Sequence, residues 1–138
     1  MSITLVIGLP GTGKTTYAKE NRGDALVFDL DYLKTALTYS DVHSPNDIDA
    51  MKVANSFLGS FVTTATERER DCFIIRTAPK MDELQMINPS KMVVMLKEYD
   101  ISNRADYHDD IDRELYNTRI QACIKWCEKH GIELEIKE

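Results

Sequence analysis

The stretch Gly8-Leu9-Pro10-Gly11-Thr12-Gly13-Lys14-Thr15 constrains this chain more than any other. Its spacing fits G-x-x-x-x-G-K-[ST], the phosphate-binding P-loop pattern. Its surroundings fit too. Ile3-Thr4-Leu5-Val6-Ile7 is a short apolar, β-branched run, as a buried parallel strand requires. The residues after Lys14, Thr15 to Glu20, can continue as a helix. A glycine turn that bound nothing would leave the Lys-Thr pair unexplained.

Each position has a physical task. Gly8, Gly11 and Gly13 lack Cβ, so backbone N–H groups can converge on an anion. The helix that starts near Lys14 adds its positive dipole end. Lys14 is expected at the β- and γ-phosphates, the Thr15 hydroxyl on Mg²⁺ and Thr16 beside the α-phosphate. Thr12 belongs to the same phosphate cradle, and Pro10 stiffens it. The expected ligands are a nucleoside triphosphate, ATP, and Mg²⁺.

The chain has 138 residues, enough for one domain with a full core and too few for two. A single domain over 1–138 is expected. The net charge of −6 disfavours non-specific binding to nucleic acid, which needs a basic face. Three cysteines, Cys72, Cys123 and Cys127, and the early start of strand 1 fit a protein of the reducing cytoplasm. They read as buried thiols, with Cys123 and Cys127 on one helix face. No apolar run approaches the length of a membrane span.

Strand-like and helix-like segments alternate. Strands are expected at Ile3–Ile7, Ala25–Asp29, Cys72–Ile75, Met92–Leu96 and Ile132–Ile136. Helices are expected from Lys14 to about Asn21, Asp31 to about Tyr39, Ser44-Pro45 to about Arg70, Lys80 to Ile87 and Asp109 to His130. This alternation predicts an α/β fold with a parallel sheet and helices on both faces. Ligands of such sheets bind beyond the carboxyl ends of the strands. The glycine loop, Asp29-Leu30-Asp31, Arg76-Thr77-Ala78 and the segment after Leu96 all fall at that edge.

Asp29 and Asp31 close strand 2. One carboxylate there can hold Mg²⁺, and another can take the proton of an attacking hydroxyl. Asp31 could instead cap the next helix. Lys34 lies three residues on and can share its face.

The segments "GLPGTGKTTYAKE" (Gly8–Glu20) and "VFDLDYLKTAL" (Val27–Leu37) resemble the small P-loop kinases. The similarity is to the kinase domain of phage-type polynucleotide kinases and to the Asp-x-Asp of shikimate-kinase-like enzymes. The whole chain is also similar to small ATP-binding proteins of phages and prophages. This resemblance implies the three-layer P-loop NTPase fold with strand order 2-3-1-4-5. It implies Asp31 as general base, Asp29 near Mg²⁺ and Lys34 as a contact to substrate phosphate. Lys34 stands where those kinases carry Arg, so the bidentate fork is missing. A lid between strand 4 and the last helix is implied as well, with Arg104 contacting phosphate.

Strand 3 ends in Arg76 and Thr77, where motor-type ATPases carry a magnesium-side acid. That disfavours a helicase or motor. Arg76 either reaches the acceptor side of the cleft or forms a surface ion pair. The expected activity is transfer of the ATP γ-phosphate to a hydroxyl or phosphate of a nucleic-acid end, a nucleotide or a small metabolite. The alternative is an ATP-binding switch or assembly module with little kinase activity. The acid-rich run Asp106, His108, Asp109, Asp110 and Asp112 reads as a solvated helix start rather than a metal site.

Overall fold

The computed structural model describes residues 1–107 and 111–138. Five parallel strands form one sheet in the order β2-β3-β1-β4-β5. They are β1 (Ile3–Ile7), β2 (Leu26–Asp29), β3 (Cys72–Arg76), β4 (Lys91–Met95) and β5 (Glu133–Lys137). Every residue of β1 is buried, as its unbroken apolar run requires of a strand covered on both faces. The alternating Glu133-Leu134-Glu135-Ile136 lies at the edge.

Helices α1 (Lys14–Asn21), α2 (Leu30–Thr38), α3 (Ile48–Ser56), α4 (Leu58–Glu67), α5 (Met81–Ile87) and α6 (Arg113–His130) complete the three layers. The two faces are covered unequally. On one, Leu5, Ile7, Phe28, Ile74 and Met92 pack against α4, α5 and α6 through Leu58, Leu84, Ile87, Ile120 and Cys127. On the other, Val6, Ile75 and Val93 pack against Ala18 and Tyr17, and among the described residues α1 is the only helix contributing to that cluster. Cys72, Cys123 and Cys127 are buried free thiols, pushed up to about 11 by burial.

Several strand and helix ends shift by one residue from the sequence expectation, and the larger differences lie in the helices. The long helix expected to Arg70 is two helices broken at Phe57. There the Phe57 N–H reaches back only to Ala54 O, 3.1 Å, and Ser56 Oγ donates to Val53 O, so local bonds compete with the regular ladder. The apolar stripe continues through the break, with Ala54, Leu58 and Ala65 buried. The cap of α3 is Asp47, whose carboxylate accepts from Ala50 N–H, and not Ser44. Helix α6 begins at Arg113 with Asp112 accepting from Leu115 N–H. The expected helix start at Asp109, and His108, Asp109 and Asp110 of the acid-rich run, lie outside the described residues. Among the described residues, no helix is long and apolar enough to cross a membrane.

Candidate functional site

The phosphate loop joins β1 to α1, and its shape depends on close approaches. A Cβ on Gly8 would lie 2.5 Å from Met95 O and 2.7 Å from Thr12 Oγ1. Gly11 has φ +79° and lies under the segment after β4: a Cβ there would be 3.2 Å from Ile101 and from Tyr99 O. Gly8 N–H donates to Thr77 O, 3.0 Å, which fixes the loop to the end of β3. Thr12 Oγ1 donates to Leu9 O, 2.8 Å, inside the loop.

Lys14 Nζ lies within this loop and donates to Gly8 O at 2.7 Å and Leu9 O at 2.9 Å. Burial lowers its pKa from the ordinary lysine value to about 8, against the opposing charges of Asp31 and Asp29. Thr15 Oγ1 donates to Asp29 Oδ2 at 2.9 Å. Asp29 is buried, and its other oxygen caps α2 by accepting from Asp31 N–H at 3.1 Å. The cap, the alternative to a cleft role for Asp31, belongs to Asp29, and Asp31 lines the cleft. Burial raises the Asp31 carboxyl above the usual range, and the neighbouring Asp29 charge adds to this.

The loop, both carboxylates, Arg76 and Arg104 line one cleft of about 820 Å³ at the carboxyl edge of the sheet. Thr16 and Pro10 line it as well. The Thr15 hydroxyl and Asp29 carboxylate are hard oxygen donors at its edge, a pair that suits Mg²⁺. Among the described residues, no three His, Cys, Asp or Glu side chains converge as a metal cage. Mg²⁺ does not need one, because it keeps waters and takes substrate phosphate oxygens.

Lys34 differs from the expectation of a substrate-phosphate contact. It is fully buried, absent from the cleft lining, and donates to Ser44 O at 3.0 Å and Val42 O at 3.3 Å. It anchors the connection between α2 and α3. Arg76 does line the cleft, but its guanidinium is engaged: Nε and Nη2 donate to Glu83 at 2.6 and 3.1 Å, and Nη1 to Asn55 Oδ1 at 2.7 Å. Arg76 thus lines the cleft and forms a half-buried ion pair with Glu83.

The segment after β4 lies against the loop. Tyr99 N–H donates to Gly11 O at 2.8 Å. Arg104 donates through Nε and Nη2 to the two oxygens of Asp106, at 3.1 and 2.9 Å. Burial opposes ionisation of Asp106, but Arg104 and His43 together hold its carboxyl below the usual range. The sequence carries no site reading for Glu83, offers His43 only as a loop residue, and gives Asp106 as part of a solvated helix start. Glu83 pairs with Arg76 on another element and His43 meets Asp106 from far off in the chain, so spacing carries no signal for those contacts; the Arg104 to Asp106 pair is local. On α6, Arg119 lines the cleft and Arg113 pairs with Glu98 at 2.6 Å.

A parallel sheet of this order, with the glycine loop and Lys14 at its carboxyl edge, defines a P-loop nucleoside-triphosphate-binding fold. A family model described as "AAA domain" matches residues 3–122. The chain belongs to that family, as a P-loop NTPase with a kinase-like nucleotide-binding domain. None of the curated proteins compared with the chain matches it.

Proposed function

We propose that this protein is a phosphotransferase that moves the γ-phosphoryl group of Mg·ATP to an acceptor hydroxyl or phosphate. The observation that carries this reading is the pair of carboxylates at the end of β2. Asp29 is bonded to the Thr15 hydroxyl, and Asp31 is free of the cap and raised by burial in the same cleft as Lys14.

In this reading Lys14 and the loop amides hold the phosphates. Thr15 and Asp29 hold Mg²⁺, which when bound neutralises charge on the β- and γ-phosphates. Asp31 orients the acceptor and takes its proton as the new bond forms. Arg104 lies over the transferring group, where its charge acts on Lys14 and Asp31 alike. The Arg76 to Glu83 pair forms the wall beside the acceptor. A nucleotide, a nucleic-acid end or a small metabolic alcohol fits this chemistry.

The test is ATP consumption and phosphate transfer across a panel of oligonucleotides, nucleotides and small alcohols, comparing wild type with Asp31→Asn. Transfer should be lost in the variant while Mg·ATP affinity stays within about threefold. Unchanged turnover in Asp31→Asn sinks the base assignment. ATP binding without transfer to any acceptor favours the second reading, a nucleotide-operated switch. That reading draws on Arg76, which occupies the end of β3 where a hydrolytic acid would otherwise stand.

A further inference from the structure

We infer that Asp106 is a positioning residue that aims Arg104 at the triphosphate and ties the lid to the acceptor side of the cleft. This rests on the phosphate-contact reading of Arg104 above.

The segment carrying both residues is a chain of tight turns. Asp100 Oδ1 accepts from the Ser102 N–H and hydroxyl at 2.9 and 2.7 Å. Arg104 N–H donates to Ile101 O at 2.9 Å, and Tyr107 N–H to Arg104 O at 3.1 Å. Its near end is fixed to the phosphate loop through Tyr99 and Gly11. A long arginine at the tip of such a segment still has several rotatable bonds, and holding it in one place costs rotamer entropy. The fork-to-fork pair with Asp106 removes that freedom before any ligand arrives.

The pair is placed to do this. The Asp106 side chain is 8% exposed, so its bond to Arg104 is little weakened by solvent. A guanidinium has five N–H donors, and Asp106 engages two of them. Among the described residues, no other side chain engages the remaining donors. On its far side Asp106 Oδ2 is 3.7 Å from His43 Nδ1, a contact that becomes an ion pair when the imidazole is protonated. His43 is itself held in place. The carbonyls of the residues on either side of it, Val42 and Ser44, both accept from the buried Lys34 ammonium. Lys34, His43, Asp106 and Arg104 therefore form a continuous line from α2 to the lid. The lysine departs from the direct phosphate contact expected of it and acts on the lid arginine from behind.

The experiment is calorimetric affinity for Mg·ATP and Mg·ADP in wild type, Asp106→Asn, Asp106→Glu, Arg104→Ala and the Arg104→Ala/Asp106→Asn double variant. Wild type should prefer ATP. Asp106→Asn should lose about five- to tenfold in ATP affinity, with ADP affinity within twofold, and the ADP value serves as the control for folding. Asp106→Glu should recover part of the loss, and the double variant should bind ATP no more weakly than Arg104→Ala alone. Losses that multiply in the double variant overturn the inference. So does tighter ATP binding by Asp106→Asn, which would mean that Asp106 competes with phosphate for Arg104. Failure of wild type to bind either nucleotide would sink the nucleotide reading itself, and this inference with it.

Discussion

Thr15 Oγ1 donates to Asp29 Oδ2 across 2.9 Å, joining the first turn of α1 to the last residue of β2. The same carboxylate caps α2 through its other oxygen. One side chain therefore sets the position of the Thr15 hydroxyl and the direction of the helix that carries Asp31. The two tasks can be separated by substitution.

Asp29→Asn keeps an oxygen for the cap and removes the charge, so folding stability should change by less than about 1 kcal/mol. Asp29→Ala removes both and should cost about 1–2 kcal/mol. Both variants should bind Mg·ATP more weakly, by about tenfold, while metal-free ATP binding changes little. Thermal melts and magnesium titrations check this. Equal weakening with and without magnesium would remove Asp29 from the metal side.

Lys14 carries a folded-state pKa of about 8, below its ordinary value, because it is buried. The unfolded chain therefore holds this proton more tightly. Below about pH 8 the charged amine is a net cost to the fold, and that cost is relieved as pH rises toward the ordinary lysine value. Relative to Lys14→Met, wild type should gain about 2 kcal/mol of stability between pH 7.5 and pH 10. Denaturant melts of both proteins over that range measure the difference. A constant gap between them rules out the shift.

A triphosphate placed beside Lys14 restores the favourable charge and raises its pKa. Binding should then take up a proton around pH 8 to 9, and Mg·ATP affinity should fall as pH rises through that window. Calorimetry in buffers of different ionisation enthalpy reads the proton uptake directly. It should vanish in Lys14→Met.

Asp31 has a pKa raised by burial and by Asp29. As a general base it works only when ionised, so the transfer rate should climb with pH along an acid limb displaced above the ordinary carboxylate range. A profile that stays flat down to pH 4 would argue against this role.

Lys34→Ala should be costly although Lys34 does not line the cleft. It leaves two carbonyls without their donor and a cavity at a fully buried position, for a loss of about 2–4 kcal/mol. Amide exchange at residues 40–46 should quicken more than at the sheet. Uniform loosening instead would indicate a general core defect.

The parts of this molecule written into short segments were legible in the sequence. The glycine spacing, the apolar run of Ile3–Ile7 and the acids at the end of β2 each follow from a few neighbouring residues. Strand order came through resemblance, and the sheet has that order. Side-chain partnerships spanning the chain were not legible. Nothing near Lys34 signals that its amine turns inward to Val42 and Ser44, and His43 and Asp106 are 63 positions apart. The break at Phe57 was hidden for another reason. The apolar stripe runs unchanged across it, so periodicity alone reads one helix.

Helix α1 gives the loop a second significance. Among the described residues it is the one helix in the cluster on its side of the sheet, it has eight residues, and of those only Ala18 is fully buried. So short a helix draws little stability from its own packing. Phosphate oxygens bound at its first turn would supply acceptors for N–H groups that have no partner within the helix. The ligand would then serve as part of the protein's scaffolding. Local opening of this face should become rarer when nucleotide is bound, and Lys14–Asn21 should be the segment whose amides report it.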